Sequence, residues 1–404
     1  MHVAHITIED VCSGLFRTQV LNISREIVRG DPRITIDIHA INRPWMNDEH
    51  RRQLAKYAKM LEGGGVRIVY TPVLPPLRHA LKSVTYSRGV TALLTAVLRF
   101  RTGRGVDVFH SRSYWPAMAL RRLGHRNILF DPRSLWVAEN LSTGDLVPDS
   151  ASHRYWLAEE AACARESAVT TAISAGMAEH FVDQYQAKDV RLVPISFARD
   201  VFKFSADGRA RHRAQLGWTD EKVFVYSGSL GMSHINVAAL ERLFGLAMSV
   251  PGTKLLFLSG EAEAAIHALM KSVGADPDRY RIVRPRQDEM GDWLSVGDVG
   301  LHALSRQHDY RTRLGTKVVE YWGGGMPTIV NENVGAAADY IRADDVGRVV
   351  NDATTTLEFA GLVSECLRLD RASVESFATR TFSSEVVAGL YRDAYAYVVA
   401  RRPV

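Results

Sequence analysis

Between Arg311 and Ile329 the chain reads Arg-Thr-Arg-Leu-Gly-Thr-Lys-Val-Val-Glu-Tyr-Trp-Gly-Gly-Gly-Met-Pro-Thr-Ile. A basic loop, a carboxylate and a glycine-broken helix end thus stand directly before an apolar strand, the layout of a nucleotide-sugar site. Lys317, Glu320 and Tyr321 fall at i, i+3 and i+4 of a predicted short helix, so ammonium and carboxylate share a face near its start. Gly323 to Gly325 stop that helix, Pro327 prevents its resumption, and Thr328-Ile329-Val330 restart as a strand. Taken alone, the segment reads equally well as an amphipathic helix with a solvated Lys–Glu pair and a glycine cap.

The elements that must position these groups alternate between apolar strand-like runs and longer helical patterns, as in parallel sheets covered on both faces. The predicted strands of the first half are Val3–Thr7, Ile34–Asn42, Val66–Thr71, Val106–His110, Ile128–Asp131, Val169–Ile173 and Val190–Val193. A second series covers Val223–Ser227, Lys254–Ser259, Tyr280–Val283, Val299–Ala303, Thr328–Val330 and Gly347–Val350. Two Rossmann-like halves follow: residues 1–198 and 199–382, with a linker within Pro194–Phe204 and a last helix at 383–404.

Ligands of doubly wound sheets bind beyond the carboxyl ends of strands, so residues just after each strand are the first candidates. After the first strand, Gly14 permits close backbone approach and the following helix offers N–H groups to an anion; a lone glycine there is also an ordinary turn. The absence of a Gly-x-Gly-x-x-Gly fingerprint argues against a conventional dehydrogenase. After the fourth strand come His110, Ser111, Arg112, Ser113, Tyr114 and Trp115. After the fifth, Asp131 is followed by Arg133, Trp136 and Glu139. These two polar and aromatic clusters suit an acceptor pocket in which rings stack on sugars and charges bind hydroxyls; the alternative is satisfied loops with a structural pair such as Arg133 with Glu139.

At 404 residues the chain exceeds what one core usually serves, and 46% hydrophobic content is ample for two. Cys12, Cys163 and Cys366 are far apart and odd in number, with no paired spacing suited to zinc or to a disulfide framework, which fits a reduced cytosolic compartment. No basic-then-apolar leader and no bilayer-length apolar run stands out, so a cytoplasmic protein is expected. The net charge of +5 is unevenly spread. Between Glu62 and Asp107 there is no acidic residue, while Arg78, Lys82, Arg88, Arg99, Arg101 and Arg104 are interleaved with apolar side chains. Such helices can lie on anionic headgroups at the inner leaflet of a membrane, or be ordinary surface helices. No nucleic-acid-binding pattern accompanies the charge.

The order of features around Lys317 resembles the donor half of retaining glycosyltransferases of family 4, which have the GT-B fold, two Rossmann-like doubly wound domains facing each other across a cleft. Val223 to Gly231 looks like the first strand and glycine loop of that family's C-terminal domain. Asp298 to Leu304 looks like the strand before the donor loop, and Gly347 to Val350 like the turn that follows it. The resemblance implies transfer of a sugar from a nucleoside diphosphate sugar to a hydroxyl acceptor, sugar-containing or lipid-linked, with retention and without a metal or other cofactor. The scattered histidines agree with the last point. It also implies that the leaving phosphate itself accepts the acceptor's proton, and it alone implies that the last helix, 383–404, folds back onto the first half.

Carried over position by position, the resemblance makes Glu320 the ribose ligand and leaves the sugar to Thr312, Arg313 or backbone amides, because the family's first glutamate is replaced by Thr312. The family's diphosphate arginine and lysine are replaced by Ser229 and His234. Arg311, Arg313 and Lys317, with the amides around Gly228–Gly231 and Gly315–Thr316, are the substitutes. His302 and Arg286 are expected to line the same cleft. Lys317, Arg313 and Asp131 are the candidate catalytic residues, Asp131 standing near the place where many members carry a histidine. Gly14, His110, Arg112, Arg133 and Glu139 are the acceptor candidates. Two other readings stay open: a nucleotide-sugar epimerase of similar fold, and a non-catalytic partner that binds nucleotide or sugar.

Overall fold

The computed structural model describes residues 1–42, 47–73, 83–103, 105–230, 237–306 and 310–401. The chain forms two units, one of Met1–Pro194 with Ser384–Val404 and one of Ile195–Ser383. The first is built on a seven-stranded sheet: β1 (His2–Thr7), β2 (Thr35–Asn42), β3 (Val66–Pro72), β4 (Val108–Arg112), β5 (Ile128–Asp131), β6 (Val169–Ala172) and β7 (Val190–Leu192), in the order β3-β2-β1-β4-β5-β6-β7. The second carries β8 (Lys222–Ser227), β9 (Thr253–Leu258), β10 (Tyr280–Val283), β11 (Val299–His302), β12 (Thr328–Asn331) and β13 (Gly347–Val350), in the order β10-β9-β8-β11-β12-β13. Every strand pair in both sheets is parallel.

Burial on both faces explains why the strands read as continuous apolar runs rather than alternating ones. Along β8, Val223 and Val225 enter one core cluster while Phe224 and Tyr226 enter another, as the two-residue period of side-chain direction requires. Every strand expected from sequence is present, and the largest displacement is at β4. Val106 and Asp107 give their carbonyls to the Asn127 side-chain amide at 3.2 and 2.9 Å instead of to a ladder. The strand therefore begins two residues later and runs through Arg112, which draws His110 and Arg112 into the sheet rather than the loop after it.

The last helix, Ser384–Ala400, belongs to the first unit and packs on the helix Asn22–Gly30. Its Val387, Ala388, Tyr391, Ala394, Tyr395 and Val398 recur at helical spacing and enter the first unit's core. The basic interval contributes one described helix, Val84–Arg101, capped by the Ser83 side chain. Val90, Leu94 and Leu98 face inward, while Arg88, Arg99 and Arg101 lie outside with Phe100, which is 85% exposed. Arg78, Lys82 and Arg104 fall outside the described residues, as do Gly231 and His234 of the anticipated phosphate loop. No described helix is long and apolar enough to cross a membrane.

The helix Thr316–Gly323 ends in the glycines that the sequence singles out, and they are not equivalent. Gly325 has φ +67°, and a Cβ there would lie 2.7 Å from the Arg371 carbonyl oxygen, whereas one on Gly324 would meet nothing closer than 3.5 Å. Gly325→Ala should therefore cost about 1–3 kcal/mol and Gly324→Ala no more than about 0.5 kcal/mol, measured by urea unfolding of the two variants. Equal losses would show that glycine is required for flexibility at the helix end and not for this conformation.

Candidate functional site

In the second unit the sheet order reverses between β8 and β11, so the loops after these two strands flank a topological switch point, where doubly wound sheets bind ligands. At that end the structure assembles His302, Gly315, Thr316, Lys317 and Glu320. His302 is the last residue of β11. Gly315 takes φ +77° against it, with a Cβ at this position falling 3.1 Å from the imidazole, so the chain can enter the next helix beside His302 only with glycine. No side chain caps that helix, Thr316–Gly323. Its first amides and the positive end of its dipole are thereby offered to an anion.

On its first turns Lys317 and Glu320 form an ion pair at 2.8 Å, with side-chain exposures of 34% and 9%. Tyr321, expected on the same face, instead enters the core: its hydroxyl accepts the Ser227 N–H at 2.6 Å and its ring fills the space beside Gly300. The 3-10 turn Tyr310–Thr312 is docked on the start of the helix Gly335–Asp344, where Ala336 N–H reaches the Arg313 carbonyl at 3.0 Å. Thr312 is buried, and the Arg311 guanidinium lies over the Tyr310 ring at 5.9 Å. Asn331 holds the chain after β11 by bonding both the N–H and the carbonyl of Leu304, at 3.1 and 2.8 Å.

Two expected donor contacts are placed differently. The glycine loop after β8 does not present its amides freely: the Glu261 carboxylate accepts from the Ser229 hydroxyl at 2.6 Å and from Leu230 N–H at 3.0 Å. Gly228 keeps φ +146° there, and its carbonyl is bonded by Ser259 at 2.6 Å. Arg286 follows the edge strand β10, is largely exposed, and pairs with Asp288 and Glu289 at 3.3 and 3.0 Å. The structure does not bring it to His302 and Lys317.

In the first unit the switch point lies between β1 and β4. Glu9, beyond β1, reaches Arg112 at 3.7 Å, and Gly14 begins the next helix with open space around it. Beneath, register makes a buried polar cluster: His5 stands opposite His110 and Arg112 opposite Asp131. The two imidazoles stack at 3.9 Å and 7°. Asp131 is 0% exposed. Its carboxylate meets Arg112, Arg133 and His110 at 3.3, 3.3 and 3.4 Å, and accepts from Thr171 at 2.7 Å and Tyr391 at 3.0 Å. Burial opposes ionisation, yet the Arg133 guanidinium, His110 and Arg112 outweigh it and hold the carboxyl well below the usual range. His110 is held below its usual value, burial being the first cause, and its Nδ1 bonds Tyr395 at 2.7 Å.

These contacts correct the acceptor expectations. Asp131 and His110 lie under the surface as structural groups, and Arg133 pairs with Asp131 rather than Glu139 because it takes a left-handed φ of +65° that turns it back over β5. Trp115 is buried edge-on against Trp136 and Trp156, at 5.6 and 5.3 Å, and does not offer a face to a sugar. Arg112 is likewise buried between Asp131 and Glu9, so Gly14 and the half-buried Glu139 are the acceptor candidates left at the strand ends.

Glu160, Glu261, His5, Tyr391 and Tyr395 are not singled out by sequence reasoning. Glu160 had a visible signal, a carboxylate in register with Trp156, Cys163 and Ala164 on the buried stripe of the helix Ala151–Glu166. It caps the helix Trp136–Ser142, accepting the Trp136 and Val137 N–H groups at 2.9 and 3.3 Å, the Tyr185 hydroxyl at 2.9 Å and the Tyr114 hydroxyl. Burial pushes its carboxyl up to about 7.

Asp131→Asn removes the charge that faces the buried Arg112 and the partly buried Arg133, leaving only Glu9 at 3.7 Å from Arg112, and should cost about 3–5 kcal/mol by chemical denaturation; a loss below about 1 kcal/mol would show that the cluster is solvated. For Glu160 the raised folded value means that the native state holds a proton the unfolded chain has released. Its contribution is thus complete below the unfolded carboxyl value and is lost as pH rises toward 7. The stability of the wild-type protein relative to Glu160→Gln should fall by up to about 1.4 kcal/mol per pH unit between about pH 5 and 7. A pH-independent difference would refute the buried proton.

Residues 19–198 match the family described as Glycosyl transferase 4-like domain. No curated protein matches the chain in sequence. Among solved structures, sucrose-phosphate synthase from Thermosynechococcus elongatus is similar over 100% of both chains, with a TM-score of 0.72 and 16% identity. HepE from Anabaena, in complex with UDP and glucose, is similar over 98% of this chain and 99% of its own, with a TM-score of 0.64 and 13% identity. WaaG, a glycosyltransferase involved in lipopolysaccharide biosynthesis, covers 98% and 99%, with a TM-score of 0.61 and 13% identity. The chain accordingly has the two-unit GT-B fold of glycosyltransferases, and its residues 19–198 match the glycosyl transferase 4-like domain family.

Proposed function

We propose that this protein is a glycosyltransferase that moves a sugar from a nucleoside diphosphate sugar to a hydroxyl-bearing acceptor with retention at the anomeric carbon. The observation that carries the reading is the uncapped helix start at Gly315 and Thr316, set beside His302 with Lys317 and Glu320 on the following turns, at the switch point of the second unit. Support for the donor class comes from the similar HepE, whose structures contain UDP and UDP-glucose. The amides of Thr316 and Lys317, with the Arg311 and Arg313 guanidinium groups, take the diphosphate where a divalent cation would otherwise be needed.

Glu320 takes the ribose diol, and Thr312 and Arg313 the sugar. Lys317 leaves Glu320 for the leaving phosphate, so donor binding exchanges one ion pair for another. The leaving phosphate oxygen accepts the acceptor's proton on the face it departs from, which explains retention without a protein nucleophile. The acceptor is met by the strand ends of the first unit around Gly14 and Glu139. An epimerase reading loses its best carboxylate, since Asp131 is locked in its ion cluster. The outer face of the helix Val84–Arg101, with Arg88, Arg99, Arg101 and exposed Phe100, suits an anionic membrane surface carrying a lipid-linked acceptor.

Thermal melting across nucleoside diphosphates and their sugars, with and without magnesium, should give a metal-independent upward shift for one base. Glu320→Ala should weaken that binding by about 1.5–3 kcal/mol, roughly ten- to hundredfold, and unchanged affinity would remove the ribose role. Lys317→Ala should lower turnover more than donor affinity; equal turnover would move the phosphate role to Arg311 or Arg313.

A further inference from the structure

We propose that Asp10, Cys12 and His50 form a binding site for a thiophilic divalent cation of the zinc class at the carboxyl end of β1 and β2 in the first unit. Ligand atoms of these three residues lie within 4.8 Å of one another, and His50 Nε2 is 3.3 Å from Asp10 Oδ1. Tetrahedral zinc with its usual bond lengths to sulfur, nitrogen and oxygen sets ligand atoms about 3.3–3.8 Å apart, so closure onto an ion needs shifts of about an ångström or less at side chains that are not fully buried.

The surroundings prepare these groups. Asn42, at the end of β2, fixes the loop by accepting Val11 N–H at 3.1 Å and donating to the Glu9 carbonyl at 2.9 Å. Val11 is buried between Asp10 and Cys12, and the two residues that flank it remain at the surface side. Asp10 Oδ1 also accepts Cys12 N–H at 2.8 Å, which draws carboxylate and thiol together. His50 comes from the first turn of the helix Asp48–Leu61 and is oriented by Asn47, whose Oδ1 lies 2.6 Å from His50 Nδ1 and accepts His50 N–H at 2.9 Å.

With Nδ1 engaged by Asn47, Nε2 is the ring nitrogen turned toward the Asp10 carboxylate and toward an ion bound between them. A partner that fixes one ring nitrogen and leaves the other for the ion is the usual support of a metal-bound imidazole. A simple His50–Asp10 ion pair accounts for two of the groups and leaves the Cys12 thiol beside them unexplained. A thiolate, an imidazole and a carboxylate together select zinc over magnesium or calcium. Three protein ligands leave a fourth position toward solvent, where Asp10 is 49% exposed. The site belongs to the first unit and shares no residue with the donor groups of the second, so it stands whether or not the glycosyl-transfer reading does.

The test is a titration of the full chain, freed of any histidine tag, with cobalt(II) as a spectroscopic substitute followed by displacement with zinc. One equivalent should produce thiolate-to-cobalt charge-transfer absorption, and zinc should abolish it. Cys163 and Cys366 are buried, so Cys12 should be the one rapidly reactive thiol, and zinc should protect it from a chromogenic disulfide reagent. Cys12→Ser should lose the band. His50→Gln and Asp10→Asn should each weaken binding at least tenfold, and Asn47→Ala about tenfold through the ring orientation alone, with unchanged circular dichroism as the folding control. Absence of the band in the wild-type protein, or affinity unchanged in His50→Gln and Asp10→Asn, would overturn the proposal and leave a local contact between His50 and Asp10 without a metal.

Discussion

Asp131 has no access to water, so its charge has to be met wholly by protein groups, and those groups come from β4, β6, the turn after β5 and the last helix. Arg112 lies opposite it on β4, His110 diagonally before that, Thr171 on β6, and Tyr391 on the helix Ser384–Ala400. A buried carboxylate with two guanidinium partners penalises any arrangement that removes one of them. It therefore fixes the strand register at the carboxyl end of the first unit's sheet and fastens to that end a helix whose Tyr391 lies 260 residues beyond Asp131. The loops that follow β1, β4 and β5 start from this rigid floor, which is why Asp131 is better understood as a structural support than as a reacting group.

The second unit solves the opposite problem. There the groups that would meet a ligand must be charged and also free to exchange partners. Lys317 and Glu320 satisfy each other at the surface of a helix whose first amides are uncapped, a pairing of modest strength because one side remains solvated. A diphosphate can take Lys317 without stranding Glu320, provided a diol replaces it. The neighbouring glycine loop follows the other principle: Glu261 already satisfies Ser229 and Leu230, and with an anion in place the loop has little to offer a second one. In the proposed reading the burden of binding phosphate then falls on the helix start and on Arg311 and Arg313.

The elements were legible because parallel strands buried on both faces produce unbroken apolar runs, and every such run became a strand. The Lys317–Glu320 pair and the glycine stop were also legible, because they depend on helical spacing and local backbone chemistry. What escaped depends on register. Nothing local in the sequence says that His5 stacks on His110, or that Arg112 lies opposite Asp131 instead of pointing out of a loop; a two-residue shift of β4, set by the Asn127 side chain, decides it. Glu160 and Glu261 escaped for a related reason, since each bonds backbone amides distant in sequence and no spacing rule marks them.

The two tyrosines of the last helix show how such long-range contacts follow from simple rules once the fold is known. Tyr391 and Tyr395 are four residues apart on the apolar stripe of an amphipathic helix, and periodicity alone would make them core residues. They are core residues, but a buried tyrosine hydroxyl must find a partner. The strand ends beneath supply Asp131 for one and His110 for the other. Hydrophobic burial thus brings the helix to the sheet, and the hydroxyls then favour one axial placement, because a slide by one turn would leave one of the two buried without its acceptor. A buried ion cluster and an apolar stripe together specify a position that neither would specify alone.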